Sequence, residues 1–142
     1  MFYLKLGLVR FCASVYCLIL MSSSVQGLSE EMQDLVNMLH TNCIEETGVA
    51  EGTIEDARKL NFAEDEKLKC YMRCLMVQMA TMDDEGIIDV DATIALLPDE
   101  MKTVFSGPLK TCGTKIGANH CDNAFQTNKC WADILKNDYY LI

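Results

Sequence analysis

Apolar residues recur at helical spacing along most of the chain beyond residue 28. Met32, Leu35, Val36, Leu39 and Cys43 lie three or four positions apart and mark one stripe of an amphipathic helix. Ser29 followed by Glu30 and Glu31 suits a helix start, because a hydroxyl can cap free N–H groups and acidic residues favour the positive end of the dipole. Gly48 supplies the stop. A shorter helix is predicted between Glu51 and Leu60, around Ile54, Ala57 and Arg58. The strongest stripe runs from Asp65 to Met82 through Leu68, Met72, Leu75, Met76, Met79 and Met82. Cys70 and Cys74 are four apart within it, so both thiols share one side of the helix, with Tyr71 one step round.

Asp83-Asp84-Glu85-Gly86 then reads as a turn, and Asp91 to Leu97 as a short helix stopped by Pro98. Asp99 is placed to cap a fifth helix bearing Met101, Val104, Phe105, Leu109 and Cys112, which Gly107-Pro108 should kink or split. Asn119 opens a sixth with Cys121, Ala124, Phe125, Asn128, Trp131 and Leu135 along one side. The chain ends in Asn137-Asp138-Tyr139-Tyr140-Leu141-Ile142, an apolar tail that must dock on something. There is no internal repeat, no low-complexity tract and no convincing strand run, so the expected class is all-α.

The first 27 residues change the cysteine count. Lys5 and Arg10 precede an uncharged apolar stretch from Phe11 to Met21, and small residues from Ser22 to Gly27 offer a cleavage site. This is a signal-peptide pattern, too short in its apolar run for a membrane-spanning helix. The expected organisation is a leader over 1–27 and a single domain over 28–142. Cys12 and Cys17 fall in the leader, which leaves six cysteines at 43, 70, 74, 112, 121 and 130, with gaps of 26, 3, 37, 8 and 8. An even set in a short exported chain reads as a disulfide framework, although six cysteines allow 15 pairings. In a domain of this size each bridge matters, at roughly 2 to 4 kcal/mol. Without Lys5 and Arg10, 10 basic residues face 21 acidic ones, a net charge of about −11. Such a surface repels phosphate backbones and anionic lipid, which argues against a nucleic-acid partner.

Groups for catalysis are scarce. His40 and His120 are the two imidazoles, and neither has a second histidine at ligand spacing. The acidic turn from Asp83 to Asp89 mimics a calcium loop only if Gly86 is set at the sixth position, which puts Thr81 first and Ala92 twelfth, where a carboxylate and a bidentate glutamate are needed. No His-Asp pair follows a glycine-rich loop, as a secreted phospholipase would require. The expectation is no enzyme, no metal and no cofactor. The methionine stripe is either plain core or an adaptable apolar wall.

The cysteine gaps, the segment Ala63-Glu64-Asp65-Glu66-Lys67-Leu68-Lys69-Cys70-Tyr71-Met72-Arg73-Cys74 and Thr47-Gly48-Val49 resemble the insect odorant-binding and pheromone-binding proteins of the six-cysteine type across the whole mature chain. The resemblance implies a compact six-helix, disulfide-linked fold enclosing an apolar cavity, with bridges Cys43–Cys74, Cys70–Cys121 and Cys112–Cys130. It implies a wall of Leu75, Met76, Met79, Leu97, Phe105, Trp131 and Tyr140. It further implies that the tail, Tyr139 to Ile142, folds over the pocket with its terminal carboxylate meeting His40 and Tyr71. Protonating His40 would strengthen that contact, so acid release of a ligand would have to start elsewhere. Gly107-Pro108 and the charged Arg73 depart from the family pattern.

The function so implied is a secreted, soluble carrier of small hydrophobic odorants or pheromones through sensillar fluid towards receptors. The alternative is a carrier of the same fold for lipids or other hydrophobic compounds in a non-olfactory secretion; a solidly packed secreted signal or inhibitor is a third class. Expected partners are a small hydrophobic volatile ligand and an odorant receptor, with no stable membrane insertion and a homodimer left open.

Overall fold

Six α-helices and a closing turn follow one another in the computed structural model, which describes residues 30–142. The expected leader lies outside the described residues. The helices are α1 Glu30–Thr47, α2 Glu51–Arg58, α3 Glu66–Gln78, α4 Val90–Leu96, α5 Asp99–Cys112 and α6 His120–Leu135, followed by a 3₁₀ turn at Lys136–Asp138. Gln33–Ile142 forms one compact unit; of the leading unit, Met1–Met32, the described part is the start of α1. The described residues contain no β-strand and a single isolated antiparallel bridge between Met82 and Ile88.

Short polar side chains start three of the helices. Asp65, Asp89 and Asn119 each accept a hydrogen bond from the backbone N–H three residues on, at Leu68, Ala92 and Asp122, all at 2.9 Å. Gly48 ends α1 with φ of 64°, a conformation that a side chain would strain.

Three boundaries differ from the sequence reading. The third helix stops at Gln78 and not at Met82: Ala80 turns left-handed at φ 54°, and the N–H groups of Thr81 and Met82 fold back onto the Met76 carbonyl. Met82 therefore leaves the helical stripe and is buried at the Met82–Ile88 bridge. Asp99 does not cap α5; Pro98 holds that position and Asp99 pairs with Lys102 at 2.9 Å. Nor is α5 split at Gly107-Pro108. The ring of a proline collides with the Cβ of the residue before it, and Gly107 has none, so the helix passes through with one N–H fewer.

The core lies where α3 packs along α6, the most extensive helix contact. Leu68, Tyr71, Met72, Leu75 and Met76 from α3 meet Ala124, Phe125 and Ala132 from α6. Three disulfides brace it: Cys43–Cys74 ties α1 to α3, Cys70–Cys121 ties α3 to α6, and Cys112–Cys130 ties α5 to α6. Beside the second bridge, Lys69 reaches Asp122 at 3.2 Å, Glu66 at 3.2 Å and Glu64 at 3.0 Å, and lies 5.2 Å from the centre of the Phe125 ring. The bond to Glu64 is the leading cause of the upward shift of the Lys69 ammonium. Asp122 also accepts the Ala118 N–H at 2.8 Å, which, ahead of Gln126 and Lys69, holds its carboxyl below the usual carboxylate range against the opposing effect of burial. A Cβ on Gly117 would fall 2.3 Å from a carboxylate oxygen of Asp122, so this close turn requires glycine.

The bridges should not contribute equally. Cys70–Cys121 closes a separation of 51 residues and Cys112–Cys130 one of 18. Replacing the first pair with alanine should therefore cost about 1 kcal/mol more than replacing the second, read by urea unfolding. Asp122 has a depressed folded-state pKa, so its contribution is complete above the ordinary aspartate value of about 3.9 and is lost as pH falls through the folded value. Stability measured against pH should fall more steeply below about pH 4 in the wild type than in Asp122→Asn.

Candidate functional site

The Cys43–Cys74 bridge places a second pair of residues side by side. His40 lies three residues before Cys43 on α1 and Tyr71 three residues before Cys74 on α3, so each stands one turn from the crosslink on its own helix. Their rings meet edge to face with centroids 6.0 Å apart. His40 Nδ1 is 2.7 Å from the Tyr71 hydroxyl oxygen, and the hydroxyl donates to the backbone oxygen of Ile142 at 2.5 Å. A phenol has one hydrogen to give, and with it directed to Ile142 the Tyr71 oxygen is left to accept from His40. On the far side of the imidazole, Nε2 faces a carboxylate oxygen of Glu51 at 3.0 Å, which only accepts. The set of bonds is complete when both ring nitrogens carry hydrogen.

Tyr71 is fully buried, and burial pushes its phenol well above its usual range; Arg58 opposes the shift, while Glu51 and Tyr140 add to it. It therefore remains a donor. Arg58 completes the latch: its Nε donates to the Leu141 carbonyl at 3.1 Å while its guanidinium pairs with Glu51 at 3.5 Å and with Glu55. The tail reaches this position because Lys136, at φ 53°, reverses the chain after α6. Tyr139 and Leu141 then turn inward and are buried. The Tyr139 hydroxyl donates to Asn128 Oδ1 at 2.8 Å, and its ring packs on Phe62 with centroids 5.8 Å apart. Burial also raises the Tyr139 phenol.

The residues expected to line a pocket are distributed unevenly. Leu75 and Met76 are buried in the α3–α6 core, Leu97, Phe105 and Trp131 are half-buried, Met79 is 41% exposed and Tyr140 is 62% exposed. Two clefts open between described residues. One of about 240 Å³ is lined by Leu60, Phe62, Lys129, Ala132 and Asp133, and an open groove of about 600 Å³ runs along Lys115–Gly117 and α6; none of the expected wall residues lines either. His40, Tyr71 and Ile142 are brought together. Arg58 and Asn128 were not anticipated as partners of the tail, nor Glu51 as the partner of His40 and Arg58, nor Tyr139 as the inward-facing member of the tail. The signal for α2 was faint: Glu51, Glu55 and Arg58 share one face at spacings of four and three, but nothing local indicates a tail from more than 80 residues away.

Six helices interlocked by three bridges, with the C-terminal segment returned across α2 and α3, define a disulfide-braced domain of the odorant-binding type. Residues 26–133 match the PBP/GOBP family. General odorant-binding protein 69a of Drosophila melanogaster is 29% identical over 97 residues, 68% of this chain and 66% of that protein, so the chain spans just under two thirds of that relative. The solved structure of the medfly odorant-binding protein CcapOBP22/CcapOBP69a is 31% identical, with a TM-score of 0.64 over 70% of this chain and 90% of that one. The fold is also that of the fatty acid binding protein OBP56a from the oral disk of the blowfly Phormia regina, at 22% identity and a TM-score of 0.61 over 80% of this chain and 99% of that one. The chain belongs to the PBP/GOBP family.

The latch makes Tyr71→Phe informative. It removes the bond to Ile142 and strands His40, which should cost about 1 to 3 kcal/mol, and hydrogen exchange of the amides of Tyr140 to Ile142 should quicken well before global unfolding.

Proposed function

We propose that the protein is a secreted carrier that holds a small hydrophobic odorant or pheromone in an apolar pocket and delivers it through aqueous fluid to a receptor. The observation that supports this reading is the contrast between two halves of the helical shell. Where α3 meets α6 the apolar side chains are buried, but α4 buries only Thr93, and α5 only Pro108, Leu109 and Cys112. Leu35 and Met38 on α1, Met79 after α3, Leu96 on α4, and Met101 and Val104 on α5 all remain substantially exposed. An acidic, disulfide-braced chain that leaves this much apolar surface uncovered gains by enclosing an apolar guest. Burying about 300 Å² of ligand surface is worth roughly 7 kcal/mol, from which the entropy of binding is subtracted. Leu75, Met76, Met79, Leu97, Phe105, Trp131 and Tyr140 are our choice of wall residues, with Met79 as the adaptable one. The tail is proposed as the lid, held by Tyr71 and Arg58.

A second reading, a carrier of fatty acids or other lipids outside smell, is favoured by the shared fold with the blowfly protein named for fatty acid binding. Native mass spectrometry of the protein gently extracted from its source tests both: a co-purifying volatile supports the first, a fatty acid the second, and an empty protein opposes both. A fluorescent apolar probe should bind the full chain and bind a version ending at Asp138 about tenfold more weakly, since about 1.4 kcal/mol of lid contact is lost. Unchanged binding would remove the tail from the site.

A further inference from the structure

Charge is segregated along the chain. From Glu30 to Glu100 there are 18 acidic residues against five basic ones, whereas the last 42 residues carry three acidic and five basic. The open groove of about 600 Å³ along α6 draws all of its lining from that basic stretch. Two of its lining residues are isoleucines left in water: Ile116, on the segment before α6, is 70% exposed, and Ile134, on α6, is 45% exposed. Of the charged side chains in the groove, Asp122 is held by Lys69 at 3.2 Å, Asp133 by Lys136 at 3.6 Å and Lys129 by Glu64 at 3.5 Å. The Lys115 ammonium makes no ion pair among the described residues. In a chain of net charge −9, the charge left unanswered here is positive.

The segment carrying Lys115 and Ile116 is pinned to α6 by alternate backbone donors. The N–H of Lys115 bonds to Thr127 Oγ1 at 2.9 Å and that of Gly117 to Asn123 Oδ1 at 2.7 Å. Between them, the N–H of Ile116 has no partner among the described residues. In a strand, successive N–H groups face opposite edges, so this alternation directs the Ile116 donor away from α6. Such an edge can be extended by a partner strand through main-chain bonds, while pockets beside it select alternate side chains. A concave groove between two isoleucines fits a peptide chain better than the flat face of a bilayer, and the net negative charge of the protein opposes anionic lipid.

We propose that this groove docks an extended acidic segment of another protein. Apolar side chains of the segment lie against Ile116 and Ile134, its carboxylates meet Lys115, and its backbone pairs with the N–H of Ile116. The surface is separate from the carrier site, since none of the expected wall residues lines it.

The test titrates a blocked seven-residue peptide of alternating glutamate and valine into the ¹⁵N-labelled full chain at low ionic strength. Amide resonances of residues 114–118 should move, and hydrogen exchange at Ile116 should slow when the peptide is bound. Lys115→Glu alters an exposed side chain that has no ion pair, so the fold should persist while the affinity falls about tenfold. Raising the salt to about 0.5 M should also weaken binding. A lysine–valine peptide of the same length should leave residues 114–118 unmoved. Shifts confined to other faces, an unchanged affinity in Lys115→Glu, or equal shifts of 114–118 with the lysine peptide would overturn the proposal. So would phosphatidylserine vesicles binding through these residues in place of the peptide, which would make the groove a membrane contact. The carrier reading survives each of those results, because displacement of an apolar probe measures that site independently.

Discussion

Helix α3 is fastened on two consecutive turns, by Cys70 to α6 and by Cys74 to α1, and the rest of the structure depends on that double anchor. A helix of 13 residues in an isolated chain would be marginal, because nucleation is costly and the hydrogen bonds alone repay little. Tied on both sides, it becomes the member against which other elements take their positions. Cys70 brings the start of α6 close enough for Lys69 to reach Asp122, and Cys74 brings α1 close enough for His40 to meet Tyr71. Tyr71 lies in sequence between the two anchors. Its hydroxyl is consequently presented at a fixed point, fully buried, where the returning tail finds it.

The same anchoring explains why packing is uneven. The α3–α6 contact is filled by large side chains and its polar groups are bonded in pairs or chains, such as Tyr139 to Asn128 to Ala124. The α4–α5 side is held to this core by the Cys112–Cys130 bridge and the last turn of α5, and its remaining apolar residues are left partly in water. A bridge constrains the unfolded chain without requiring that every neighbouring surface be filled. The molecule can thus be stable with an apolar face left uncovered, which solid packing would preclude. Acidic residues outnumber basic ones by 21 to 12, and their like charge opposes self-association.

Much of this was legible in local sequence. The stripe from Leu68 to Met76 stands where the spacing put it, and the third and sixth helices begin at Asp65 and Asn119, where the sequence reading opened them. The misread boundaries share a cause. Methionines 79 and 82 continue the helical spacing by coincidence, and nothing in Ala80 announces a left-handed turn; the buried bridge of Met82 to Ile88 makes that conformation worthwhile. Gly107-Pro108 looked like a break because proline was weighed without the glycine that relieves its clash. The helix carrying Glu51 and Arg58 was read without its role in holding the tail, since the Leu141 carbonyl that Arg58 binds lies 83 residues away.

The order of helices, the six-cysteine framework and the net charge follow from residues read in place, because caps, spacing and composition act within a few positions of one another. Which oxygen Tyr71 holds, which of two adjacent tyrosines turns inward and which apolar residues stay uncovered did not. Those outcomes depend on contacts between segments far apart in sequence, and a contact of that kind exists only once the bridges and the α3–α6 core have brought its two sides to the same place.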